Sequence, residues 1–365
     1  MSDPIRTVIV DDSSIYRAIL TRVLKQIPDV ELVGSANNGR RGLEVIEEVR
    51  PDLVLLDVEM PEMDGLEALE IIAKQHTDVS VLMVSGVSDA RRTLKALSHG
   101  AVDFIVKPED SGADALRKQL WKGVRVVKAQ RAARKRRKNA VEAGEPLRSR
   151  VASPNQVAKA ASGSNQSRLI IIGVSTGGPR ALETLVADFS RDLSCPVLIV
   201  QHMPPGFTDS LAQTLNGMSA LDIAEAKAGE SLTPGRVLIA PGGKHMEIEP
   251  SPSGDGNLLI SLHDGAPRNE CKPSVDVLLD SARAHFKGNI LAGIMTGMGN
   301  DGCHGVGKLK AIGAYCIAQS EASCVVYGMP RAVYEAGHVD EMVPLYRFAS
   351  RIEEWTLGTT PESRS

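Results

Sequence analysis

The sequence predicts two α/β domains in tandem, each built on a parallel sheet, joined by a basic linker. Three observations carry that expectation. The 365-residue chain is long enough for two ordinary cores, and its 42% hydrophobic and 24% charged residues are those of a globular protein. Short apolar runs alternate with amphipathic stretches in both halves, the pattern of repeated strand–helix units. Between the halves the alternation stops, and the intervening residues have almost nothing to bury.

In the first half, 5–122, the runs TVIVDD, VELVGSA, DLVLLDVEM, VSVLMVSG and AVDFIVKP are each followed by an amphipathic stretch, from SIYRAILTRVLKQ to ALRKQLWKGVRVV. Such units predict a doubly wound sheet of five parallel strands with helices on both faces, and ligands at the carboxyl ends of the strands. Residues 123–166 include KAQRAARKRRKNAVEAGEP and read as an Ala/Ser-rich basic linker, helical at its start. The cluster Arg134 to Lys138 within it offers charge to an anionic partner, although a charge run is most often a solvated face. From 167 to 352 a second set of runs, RLIIIGVS, PVLIVQH, GRVLIAPGG and NILAGIMTGMGNDG, predicts a second, mainly parallel sheet with helices between strands. The residues 353–365, ending GTTPESRS, read as a disordered tail.

Several function classes are disfavoured by composition. A net charge of −3 and 3% aromatic residues argue against nucleic acid as a partner, since single-strand binders need basic grooves and stacking platforms. The apolar runs fall short of the roughly 20 residues of a membrane helix. With no signal-peptide layout in MSDPIRTVIV, a cytoplasmic protein without membrane insertion is expected. The five cysteines, Cys195, Cys271, Cys303, Cys316 and Cys324, form neither a C-x-x-C pair nor an even framework, so packing is their expected role.

Chemistry-bearing residues stand at the strand ends of the first half. Asp11 and Asp12 follow TVIV, Asp57 follows LVLL, Ser85 ends the fourth run and Lys107 the fifth. Carboxylates from neighbouring parallel strands converge, and crowded hard oxygen ligands suit Mg²⁺. The added hydroxyl and ammonium are what an acyl-phosphate on Asp57 needs around its oxygens.

In the second half the apolar run LIII stops at Gly173-Val174-Ser175-Thr176-Gly177, a G-x-S-x-G pattern that sets a serine on a strand-to-helix corner. A phosphate-binding loop needs Lys and Ser/Thr where Pro179 and Arg180 stand, and a dinucleotide fingerprint needs glycine where Ser175 stands. A nucleophile elbow instead requires a histidine and a carboxylate at other strand ends. His202 follows PVLIVQ, and Asp301 lies in TGMGNDG after NILAGIM. His245 and His304 are rival bases, but neither directly ends an apolar run.

Through VDDS, LLDVEMPEMDG, VSG and KP the first half resembles the response-regulator receiver domain, a flavodoxin-like fold. The resemblance implies Asp57 as phosphoacceptor, Asp11, Asp12 and Asp57 as Mg²⁺ ligands, Ser85 and Lys107 as phosphate contacts, and Phe104 at the aromatic switch position. Through GVSTGGP, QHMPPGFT, APGGKHM, KPSVDVLL, TGMGNDG and QSEASCVVYGMP the second half resembles the catalytic domain of the CheB-type protein-glutamate methylesterases. That implies Ser175 as nucleophile, His202 as base and Asp301 as third member, with the backbone NH groups of Thr176 and Met298 serving the oxyanion and no cofactor in this half.

The implied activity is phosphorylation-activated hydrolysis of glutamate methyl esters on the cytoplasmic helices of methyl-accepting chemoreceptors, for chemotactic adaptation, with deamidation of glutamines at the same positions. The implied phosphodonor is a histidine kinase of the chemotaxis type. The competing expectation is a non-enzymatic response regulator that binds nucleic acid or a protein through its second half and basic linker.

Overall fold

The computed structural model describes residues 3–86, 89–108, 112–142 and 167–358, the side chains of 137–142 excepted. The chain divides into two compact units, Met1–Leu147 and Arg148–Ser365.

In the first unit, strands β1 (Ile5–Val10), β2 (Val30–Ala36), β3 (Leu53–Asp57), β4 (Ser80–Ser85) and β5 (Asp103–Val106) form one sheet in the order β2-β1-β3-β4-β5. Every pairing is parallel. Helices α1 (Ser14–Leu24), α2 (Gly39–Val49), α3 (Gly65–Gln75), α4 (Ala90–Ser98) and α5 (Ala113–Glu142) connect or follow the strands. Both central strands β3 and β4 are buried throughout, which is why their sequences read as unbroken apolar runs rather than alternating ones. The winding direction reverses between β1 and β3, so the crevice at their carboxyl ends is the expected ligand position.

The expected linker boundary at 122/123 is corrected. Helix α5 carries on through the basic stretch, with Val124, Val126 and Val127 each 1% exposed. Gly123 packs so close to Leu82 that a Cβ there would strike its side chain. Beyond them Lys128 pairs with Asp29 at 2.9 Å and Arg131 with Asp52 at 3.3 Å. The amphipathic helix expected over ALRKQLWKGVRVV thus continues to Glu142; its apolar face packs on the first sheet, and the cations beyond it meet acids. The remainder of that segment, 143–166, lies outside the described residues.

The second unit holds a parallel seven-stranded sheet in the order β14-β13-β12-β6-β7-β9-β8. Its strands are β6 (Arg168–Val174), β7 (Val197–Gln201), β8 (Asp222–Glu225), β9 (Arg236–Ile239), β12 (Asn289–Ile294), β13 (Tyr315–Gln319) and β14 (Glu341–Val343). An antiparallel hairpin of β10 (His245–Pro250) and β11 (Leu258–His263) is separate from it. The helices are α6 (Gly178–Ala187), α7 (Phe207–Asn216), α8 (Val275–His285), α9 (Cys303–Lys310), α10 (Met329–Glu335) and α11 (Phe348–Thr356).

One side of the sheet joins hairpin and helices in a core that includes Leu169, Ile171, Met246, Ile260, Leu278 and Leu309. The winding reverses at β6, whose neighbours are β7 and β12, so three consecutive strand ends flank one crevice.

The expected disordered tail at 353–365 is also corrected, because α11 includes its first residues. Thr356 is buried, and Glu353 Oε1 accepts a hydrogen bond from the Ser190 amide at 2.6 Å. Residues 359–365 lie outside the described residues. Among the described residues, no helix is long and apolar enough to cross a membrane.

Candidate functional site

Ser175 stands one residue past β6, at the turn into α6. Its amide donates to Thr296 O at 2.9 Å, and its carbonyl accepts from the Gly178 amide at 2.8 Å. Gly177 holds φ at +77°, a left-handed conformation that glycine adopts without a Cβ penalty. A Cβ on Gly297 would lie 2.7 Å from the Ser175 Cβ, so backbone is pressed against the serine from the β12 side. From β7, Gln201 Nε2 donates to both Ser175 O at 3.1 Å and His202 O at 3.2 Å. The corner is held by strand neighbours on both sides, and the serine itself is half-buried.

His202 arrives from β7. Val174 pairs with Gln201 in the β6–β7 register, and the His202 amide donates to Val174 O at 3.1 Å, which puts His202 beside Ser175 at the sheet edge. Asp301 arrives from the loop after β12, and its Oδ2 lies 2.8 Å from His202 Nε2. The residues expected to act together therefore come from three adjacent strand ends. The second ring nitrogen, Nδ1, faces Cys271 Sγ at 3.5 Å, a neighbour that the sequence assigned only to packing. The rival bases stand elsewhere: His245 is buried with Nε2 on Ala266 O at 3.0 Å, and His304 is exposed on α9.

Asp301 is buried and saturated with donors. Oδ1 accepts from Ser274 Oγ at 2.8 Å and Asn269 Nδ2 at 2.9 Å, while Oδ2 accepts from the Val275 amide at 2.7 Å. Ser274 and Val275 open α8, so the carboxylate also occupies a helix N-terminus, where the dipole favours an anion. Burial alone would raise its pKa, but His202, Asn269 and the Val275 amide together hold it well below the usual carboxylate range. For His202, burial works against the charged form, yet the Asp301 hydrogen bond and the Cys271 contact raise its pKa to about 9.

The expected oxyanion groups border the same corner. Thr176 follows the serine, and its carbonyl is turned inward to accept from Thr296 Oγ1 at 3.0 Å. Met298 is half-buried and follows Gly297, the residue packed on Ser175.

In the first unit the strand-end residues also converge. Single carboxylate oxygens of Asp11, Asp12 and Asp57 lie within 4.8 Å of one another. Lys107 Nζ bridges Asp57 Oδ2 at 2.7 Å and Asp11 Oδ2 at 3.1 Å. Burial pushes the Asp57 carboxyl up to about 6, with Lys107 opposing and the Asp11 and Asp12 charges adding to the rise. Three crowded carboxylates that share one ammonium leave net negative charge on hard oxygen ligands, a donor set that fits a divalent cation.

Ser85 and Phe104 are not brought to the carboxylates in the same way. Ser85 Oγ donates to Gly86 O at 2.9 Å and accepts from Thr93 Oγ1 at 2.6 Å, while Phe104 is half-buried in β5.

Sequence reasoning missed Cys271, Asn269 and Ser274 around the His202–Asp301 pair. All lie in NECKPSVD, where KPSVDVLL had stood out only as a resemblance. No periodicity reveals where that loop runs.

Family comparisons agree with both units. A model described as CheB methylesterase matches residues 170–352, and one described as response regulator receiver domain matches 7–120. A protein-glutamate methylesterase/protein-glutamine glutaminase 2 from Koribacter versatilis is 41% identical over 343 residues, covering 94% of this chain and 93% of that protein. A protein-glutamate methylesterase/protein-glutamine glutaminase from Symbiobacterium thermophilum is 40% identical, covering 96% of each. Among solved structures, the Thermotoga maritima CheB methylesterase catalytic domain is 39% identical with a TM-score of 0.50, covering 52% of this chain and 98% of its own. The chain belongs to the CheB methylesterase family, with a response-regulator receiver domain preceding its catalytic domain.

Proposed function

We propose that the protein is a serine hydrolase that removes methyl groups from glutamate methyl esters on chemoreceptors, with Ser175, His202 and Asp301 as its catalytic residues. The observation that carries this reading is the His202–Asp301 pair at the strand end adjoining Ser175. In the neutral state His202 takes the Ser175 proton as Oγ bonds to the ester carbonyl carbon. The carbonyl oxygen becomes an oxyanion beside the Thr176 and Met298 amides. Collapse breaks the bond to methoxide, which leaves as methanol with the His202 proton. Water, deprotonated by the same ring, then cleaves the acyl-serine and leaves glutamate. A receptor glutamine follows the same path and releases ammonia.

Asp57 is read as the phosphoacceptor, supplied by a chemotaxis-type histidine kinase. Asp11, Asp12 and Asp57 would hold Mg²⁺, which when bound neutralises charge on the transferred phosphoryl group. Lys107 contributes a fixed ammonium to the same oxygens. The rival binding reading has less support. Arg134, first of its basic cluster, already donates to Asp78 O at 2.5 Å.

The test is methanol release from methylated receptor membranes, with and without a small phosphodonor and Mg²⁺. Ser175→Ala should lose all release, and Asp57→Asn should lose only the stimulation by phosphodonor. Release that persists without Ser175 would overturn the assignment of the nucleophile.

A further inference from the structure

Tyr16 lies in the first turns of α1, its amide donating to Ser13 Oγ at 3.2 Å. Its ring packs beneath the Lys107 ammonium, with Nζ 4.8 Å from the ring centroid. That ammonium is the one bridging Asp57 and Asp11. Although the residue as a whole is half-buried, its hydroxyl oxygen is closed to solvent and has no hydrogen-bond partner. Leaving a buried hydroxyl unmade costs about 1–3 kcal/mol, so such an orphan calls for a partner outside the chain.

The surroundings identify that partner. Burial first, then the charges of Asp11 and Asp57, push the phenol up to about 12, so it is protonated at neutral pH and available as a donor. Both carboxylates lie near enough to influence it, yet it bonds to neither. A buried donor without a partner, beside the ammonium that already contacts Asp57, is completed by an anion carried on Asp57.

We propose that the Tyr16 hydroxyl donates a hydrogen bond to the phosphoryl group carried by Asp57. The assignment rests on Asp57 being the phosphoacceptor. It adds a neutral donor beside the Lys107 ammonium, on the α1 side of the pocket. The ring orients the hydroxyl by packing against Lys107, and phenylalanine would preserve that packing while removing the donor.

The experiment uses the full chain in saturating Mg²⁺ and titrates beryllofluoride, a stand-in for a phosphoryl group on a carboxylate, read by the ¹⁹F signal of the bound species. Tyr16→Phe should raise the half-saturating concentration about tenfold or more, the loss expected for one hydrogen bond to a charged group. Its melting temperature in Mg²⁺ alone should be no lower than the parent's, because no hydrogen bond is lost there, and this controls for folding. Tyr16→Leu removes ring and hydroxyl together. Half-saturation within twofold of the parent for Tyr16→Phe, with a loss only in Tyr16→Leu, would overturn the proposal and leave the ring as packing. If the parent forms no more adduct than Asp57→Asn, the phosphoacceptor reading fails first and this proposal with it.

Discussion

A general base must be neutral to accept a proton, and His202 sits where its charged form is favoured. Burial opposes that charge, but Asp301 and then Cys271 outweigh it, so the ring titrates near 9 rather than near its ordinary 6.5. With His202 as the proposed base, kcat/KM should climb with pH well above 7, where an unperturbed histidine would already have reached its plateau. Cys271→Ala removes one of the two supports, and the rising limb should move to lower pH without returning fully to 6.5, because Asp301 remains. A pH–rate profile of both proteins checks this, and an unshifted limb would mean that the thiol does not act on the ring. The sequence reveals the main residues here because Ser175, His202 and Asp301 each follow an apolar run. Cys271 was hidden because it enters from a loop whose path depends on how α8 packs.

Elements were legible wherever burial imposed a pattern. Strands β3, β4, β6 and β7 are buried throughout or nearly so, and each stands out as a short apolar run. Strand β8, four residues reading DIAE, and the hairpin β10–β11 carry mixed polarity and give no comparable signal. Helix α5 was legible as far as Val127, where Val124 and Val127 share one helical face, but its basic continuation to Glu142 was obscured by composition. In a solvated linker a valine-to-aspartate change would be nearly silent, whereas Val126→Asp here buries an unpaired charge against the first sheet. The expected loss is at least about 3 kcal/mol, on the order of the large effects seen for uncompensated buried charges. Urea unfolding of the full chain measures it, and a change within about 0.5 kcal/mol would mean that this face of α5 does not pack on the sheet.

At the scale of the whole molecule, two parallel sheets place their chemistry at the point where the winding reverses, but they settle the resulting charge differently. Beside Ser175 the Asp301 anion is matched internally by His202, by helix amides and by two side-chain donors. At the Asp57 site three carboxylates crowd together, and the one Lys107 ammonium is shared between Asp57 and Asp11. A cation should therefore stabilise the first unit and leave the second unchanged. Trp121 and Trp355 are the only two tryptophans, one in each unit, so single Trp→Phe variants report the two melts separately. Adding Mg²⁺ should raise the Trp121 melt, by about 2.7 kcal/mol of stability at a hundredfold excess over Kd, and EDTA should reverse it. Asp57→Asn should raise that melt in EDTA by removing a buried negative charge, and should blunt its response to Mg²⁺. A Mg²⁺ shift seen at Trp355 alone would instead direct the ion to the second unit, where His202, Cys271 and Asp301 offer ligand atoms within 4.8 Å of one another. That set mixes imidazole and thiol with its carboxylate and suits a softer metal, so the expected response to Mg²⁺ stays with the three aspartates.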